Sequence, residues 1–357
     1  NIELTECTFN NNRAQTEGGA ICFETGLESF ILSGCTFINC TASKRAFISM
    51  TDSNYDGQQQ LPHRVSIEIT YCTFSQLESD VDSSVHFIYK DDINFTFRYN
   101  TFENLKCTGN YGGSGLEIDS KRLETSLTGC KFISCQADSS QICVRSKSDE
   151  SDDPGETEYI FNDCTFSYSR DEEQNTRAVY IYDDIRVEFV DCHFDDYTNG
   201  GEGFAVKTEA TTQFPIFTNC EFSGLIGESL IYCPDLVEEV NFAGCKFDHC
   251  TFRSTSNNGQ HGTIIEAPKA KKFNITNISF DAIIATNGAI KHNPVDSKEG
   301  DIIIIQENTF TNCGELPLFI DSEHADCIIN SNVFTGCQSA SQPQAIYVKR
   351  SKEVNIT

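Results

Sequence analysis

The sequence predicts an all-β fold: a right-handed parallel β-helix solenoid of about twelve coils, with three short strands per coil, running as one continuous domain over residues 1–357. Three observations predict it. A Cys/Asn-x-Phe triplet recurs along the whole chain. Apolar residues stand at fixed two-residue steps around each triplet. The hydrophobic share is 38%, with no Trp and one Met, which is lean for a compact globule but enough for the thin core column of a solenoid.

The triplet comes first, because a period of 20 to 50 residues decides the architecture. It begins at Cys7, Cys35, Cys72, Asn100, Cys130, Cys164, Cys192, Cys220, Cys245, Ile278, Asn308 and Asn332, with spacings of 24 to 37 residues. Taking its first residue as position 0, position +2 is Phe in all twelve copies, from Phe9 to Phe334. Position −3 is always apolar, as in Leu4, Ile69 and Phe161, and position −5 usually is, as in Phe30 and Ile67. Position +5 is often Cys or aliphatic, as in Cys40, Leu77 and Cys313. The steps from −5 to −3 and from 0 to +2 are two residues, the strand period. The step from −3 to 0 is three, which reads as a bend between two strands. A third strand follows, seen in Val85-His86-Phe87-Ile88 and Leu318-Phe319-Ile320, with its inward face ambiguous in several copies.

Stacked coils put each strand about 4.8 Å from its neighbours, and parallel crossovers are right-handed. Two inward ladders then follow, one of Phe at +2 and one at position 0. The second is built of Cys7, Cys35, Cys72, Asn100, Cys130, Cys164, Cys192, Cys220, Cys245, Asn308 and Asn332. A one-residue slip would turn every Phe outward, so the ladders fix the register. The polar segments 51–64, 146–158, 253–261 and 293–300 read as turn insertions, and such loops are the first surface expected to meet a partner.

Residues 9–21 contain Phe9-Asn10-Asn11-Asn12 and then Gly18-Gly19-Ala20-Ile21. This F-x-x-N followed by G-G-A-I resembles the paired tetrapeptides of the polymorphic outer-membrane-protein family, and more broadly right-handed β-helix surface proteins with the pectate-lyase-like fold. The strict pair occurs once. Elsewhere it decays, as in Phe37-Ile38-Asn39-Cys40. The resemblance implies an adhesive surface protein. Some family members end in a membrane barrel; none is visible here.

The formal net charge of −27, from 26 Lys plus Arg against 53 Asp plus Glu, disfavours nucleic acid and anionic lipid. No apolar run reaches the roughly 18 residues of a spanning helix. The cysteines number 18, and eight of them occupy position 0. Buried thiol packing accounts for them, while Cys35–Cys40, Cys130–Cys135 and Cys245–Cys250 stand as candidate disulfides across a corner. Cys245, His249 and Cys250 form the best metal grouping, yet they lack a fourth ligand. The acidic stretches Asp149 to Glu158 and Asp171-Glu172-Glu173 read as solvated loops and lack a calcium-loop pattern. No metal or other cofactor is expected.

Glycoside hydrolysis takes two carboxylates across one bond. Asp91-Asp92 and Asp183-Asp184 each follow a third strand, but about three coils apart, roughly 14 Å at strand spacing. Turn formation explains them better, and Gln260-His261-Gly262 only faintly matches a polygalacturonase step. No catalytic set is therefore assigned; a polysaccharide lyase or hydrolase with a site on the turn face is the alternative. Five glycosylation sequons occur, at Asn39, Asn94, Asn274, Asn277 and Asn355. Asn94 and Asn274 alternate with inward residues and should point outward.

Asn1 begins within a repeat and Lys352–Thr357 stops where another triplet is due, so a longer chain, with flanking β-helix coils, or end-to-end self-stacking into a filament is expected. The expected protein is a non-enzymatic extracellular or cell-surface adhesin, stalk or fibre subunit. Its expected partners are further coils or copies of itself, glycans and host or cell-surface proteins.

Overall fold

The structure is a computed structural model. It describes residues 1–15, 19–23, 28–42, 48–51, 64–79, 85–107, 113–137, 140–146, 158–168, 177–182, 184–196, 205–253, 262–292, 300–315, 317–338 and 345–357. The four expected insertions fall almost wholly outside these residues. The described residues hold strands and no helix, and the strands pair in parallel as a β-solenoid. They group into two compact units, one within Asn1–Tyr168 and Gln174–Val187 and the other within Glu188–Thr357.

In the first unit the triplet strands are Thr8–Asn10, Thr36–Ile38, Thr73–Ser75, Thr101–Glu103, Lys131–Ile133 and Thr165–Ser167. They pair in register with Phe beside Phe at each step. Ring centroids lie 4.7 Å apart for Phe9 and Phe37, 4.9 Å for Phe37 and Phe74, and 4.7 Å for Phe74 and Phe102, with planes within 9°. That is strand spacing, so the rings stack because the strands do. In the second unit Phe194, Phe222, Phe247, Phe280, Phe310 and Phe334 stack the same way at 4.7 to 5.2 Å. The −3 residues, from Leu32 to Ile329, are buried beside these rings, with Leu4 half-buried at one end.

A two-residue strand, absent from the sequence reading, follows position +5. It forms a five-strand sheet in the first unit, Arg13–Ala14 to Gln136–Ala137, and a four-strand sheet in the second, Ile226–Gly227 to Gly314–Glu315. Counted by this strand the turns number about nine, fewer than the twelve expected from the triplets. The shortfall has a local origin. The segments after Tyr168 and after Asp196 lie outside the described residues, and Gln338 makes only a single bridge to Gly314. The last strand of a turn can also run straight into the first strand of the next, as in Val85–Arg98 and Gly113–Thr128.

The bends have one backbone solution. The residue at −1 has φ between 52° and 68° in every copy: Glu6, Gly34, Tyr71, Tyr99, Gly129, Asp163, Asp191, Asn219, Gly244, Asn277, Glu307 and Ser331. Position +4 repeats it, as at Asn11, Asn39, Gln76, Ser134 and His249. A single left-handed residue breaks the extended run and redirects the chain. The three-residue steps from −3 to 0 and from +2 to +5 are therefore the same device used twice.

Candidate functional site

Position 0 closes the first bend. Redirecting the chain leaves the N–H at 0 and the C=O at −3 outside the regular ladder, and buried backbone groups need partners. Asn100 supplies both from the following turn. Its Oδ1 accepts the Cys72 N–H at 2.9 Å, and its Nδ2 donates to the Ile69 carbonyl at 2.7 Å. Asn308 does the same to Ile278 N–H and the Ile275 carbonyl, at 2.9 and 3.0 Å. Cysteine makes a weaker copy. The Cys35 thiol donates to the Leu4 carbonyl at 3.5 Å and accepts the Cys7 N–H at 3.4 Å; Cys72 does so toward Leu32 and Cys35. A thiol is a small donor and acceptor, so Cys and Asn exchange at this slot for one physical reason. Ile278 cannot do so.

The +5 cysteines repeat the bond at the second bend. Cys40, Cys135, Cys250 and Cys313 donate to the carbonyls of Phe9, Phe102, Phe222 and Phe280 in the preceding turn. No disulfide joins any of the eighteen cysteines in the structure. The candidate pairs Cys35–Cys40, Cys130–Cys135 and Cys245–Cys250 are not joined: 0 and +5 belong to different bends, and their sulfurs bond to backbone carbonyls. Burial pushes the thiols of Cys72, Cys250 and Cys313 up to about 12.

Cys245, His249 and Cys250 do not converge. The two thiols are buried, while His249 occupies a left-handed bend and bonds Asp248 outside at 2.6 Å. No His, Cys, Asp or Glu grouping among the described residues could hold a metal. Asp91 and Asp92 fall inside the strand Val85–Arg98, near a register irregularity between Tyr89 and Asp92, and not at a turn. The chain passes there without a break into the next turn. Asp184 follows the strand Arg177–Ile181, while Asp183, Gln260 and His261 lie outside the described residues, as do the acidic stretches 149–157 and 171–173. Asn39, Asn94, Asn277 and Asn355 are exposed. Asn274 is half-buried, and its Nδ2 reaches Asn241 Oδ1 of the adjacent strand at 3.4 Å.

One outward feature escaped the sequence reading. Tyr71 and Tyr99, at the left-handed −1 position of adjacent turns, stack with centroids 5.2 Å apart and planes 19° from parallel. They are 64% and 49% exposed. With Glu68, Thr70, Arg98 and Thr128 they line an open groove of about 550 Å³. The signal was legible: Tyr recurs 28 residues apart immediately before two triplets, a position that counting inward residues passes over.

Residues 6–24 match the Chlamydia polymorphic membrane protein (Chlamydia_PMP) repeat. The matched stretch contains the Phe9–Asn12 and Gly18–Ile21 tetrapeptides, so the resemblance drawn from those residues holds for this repeat. No curated protein matches the chain.

Proposed function

We propose that this chain is the β-helical part of a non-enzymatic, cell-surface protein of outer-membrane type that serves attachment as an adhesin, stalk or fibre. The observation that carries the reading is the repeat match at residues 6–24, seated on a parallel β-solenoid. The repeat itself supports it. Its Phe, Cys and Asn residues are consumed in stacking and in closing bends, which leaves the outer surface for recognition. An acidic exterior of net charge −27 keeps such a surface soluble and free of nucleic acid. No helix of the described residues is long and apolar enough to cross a membrane, which says nothing of a barrel formed by strands. Surface glycans at Asn39, Asn94, Asn277 and Asn355 belong to the same reading.

The test has two parts. Antibody raised against the chain should label intact, unpermeabilised producing cells; label appearing only after permeabilisation would overturn the location. Beads coated with the chain should adhere to cultured animal cells above an albumin control, and equal adherence would remove the adhesive role. Turnover of acidic or neutral polysaccharides by the chain would replace the non-enzymatic reading with a carbohydrate-active one.

A further inference from the structure

We infer that Tyr71 and Tyr99, together with Arg98 and Glu68, form a binding site for a pyranose-containing oligosaccharide. The inference deepens the attachment role proposed above and rests on it only for biological meaning; the site is argued from its own geometry.

The backbone gives the tyrosines no reason to be there. The −1 position is left-handed in every turn, a conformation that suits Gly, Asn and Asp and disfavours bulky side chains. Other −1 positions are filled by Glu, Gly, Asp, Asn and Ser. Burial gives no reason either, because both rings stand in solvent. Two large aromatic faces are thus held outside the core, at a conformational cost, beside polar groups. Strain of this kind is concentrated at ligand sites.

The platform is also pinned. A Cβ on Gly129 of the following turn would lie 2.5 Å from Tyr99 Cδ1, so the ring rests directly against the glycine backbone. Tyr71 stacks on Tyr99 in turn. A rigid aromatic surface loses little freedom when a ligand arrives.

Beside the rings runs the −2 column. Arg98 sits in register between Thr70 and Thr128. Neither Arg98 nor Glu68 forms a side-chain hydrogen bond or ion pair with the described residues. The groove thus offers five guanidinium donors, a carboxylate acceptor and hydroxyls around an apolar face. A pyranose has the matching anatomy, with a flat C–H face and a rim of hydroxyls that both donate and accept. A nucleotide would stack equally well, but its phosphates meet a chain of net charge −27. A volume of about 550 Å³ lies within the range of small-ligand sites.

The experiment is a printed array of neutral and acidic pyranose oligosaccharides probed with the intact chain, followed by calorimetric titration of the brightest glycan. Saturable binding is expected, weakened at least about tenfold in a Tyr71→Ala/Tyr99→Ala double variant. A Tyr71→Phe/Tyr99→Phe variant keeps the rings and should stay within about threefold of wild type. Circular dichroism spectra matching wild type are the check that both variants remain folded. No bound glycan, or undiminished binding by the alanine variant, overturns the site. So does binding of a decaproline probe to the same tyrosines in the absence of any glycan, which would assign the groove to a peptide partner. Bead adherence no greater than the albumin control, with glycan binding intact and lost in the alanine variant, removes the attachment role and leaves this site standing.

Discussion

Replacing Asn100 by leucine removes a bend closure while keeping the branched, four-heavy-atom outline of the side chain. Asn100 is fully buried, and its amide satisfies two backbone groups of the preceding turn, the Cys72 N–H and the Ile69 carbonyl. Leucine strands both. Each unsatisfied buried group costs roughly 1–3 kcal/mol, so Asn100→Leu is expected to destabilise the first unit by about 2–6 kcal/mol. Asn100→Cys restores the bond set that Cys35 and Cys72 make elsewhere, with weaker partners, and should cost only about 1–2 kcal/mol. Urea unfolding of the full chain ranks the three proteins by midpoint. Because a solenoid need not unfold in one step, amide exchange at Cys72 supplies the local reading and should accelerate most in the leucine variant. A leucine variant that matches wild type in midpoint and in Cys72 exchange refutes the bend-closure argument.

His292 is buried against Phe273, ring to ring at 4.9 Å, and burial holds its imidazole down to about 4. Between about pH 4 and the ordinary histidine value near 6.5, the unfolded chain carries the extra proton. Stability should therefore be full above about 6.5 and fall by up to about 3 kcal/mol as pH drops to about 4; His292→Phe should remove that component from urea midpoints measured at both ends. Phe222 is sandwiched between Phe194 and Phe247 at 4.9 and 4.7 Å, so Phe222→Ala should cost about 3–5 kcal/mol in thermal or urea unfolding, and a loss under about 1 kcal/mol would remove the Phe ladder from the core. A thiol reagent at pH 8 should label exposed Cys22 first, with half-buried Cys7 and Cys337 next. The buried Cys72, Cys250 and Cys313, pushed up to about 12, should react only after unfolding; rapid native labelling of these would contradict their burial.

The triplet strand and the −3 partner were readable in the sequence because their side chains alternate in and out with a two-residue period and meet the same neighbours in every turn. The last strand of the turn could be located but its inward face could not, because Val85, His86 and Phe87 are all buried, as are Leu116, Glu117 and Ile118. With both faces covered, alternation disappears. The two-residue strand was invisible for a different reason: two residues are too few to show a period. The turn reading of Asp91 and Asp92 failed because a strand continues through a sequence that looks like punctuation. At the outward site, Tyr71 and Tyr99 share a slot with glycine and serine, so composition at that slot carries no pattern; only the structure shows that the two rings meet.

At position 0, Cys35, Cys72, Asn100, Asn308 and Asn332 reach back to close a bend in the turn before their own. Cys35 serves Leu4 and Cys7, Asn100 serves Ile69 and Cys72, and Asn332 serves Ile305 and Asn308. A turn is thus finished by its successor and not by its own residues. For a chain emerging N-terminus first, order would advance as a one-way ratchet, each arriving turn latching the last. The advancing end would always present one unfilled rung, a lone amide and a lone carbonyl, shaped to accept the next Cys or Asn and to reject any other register.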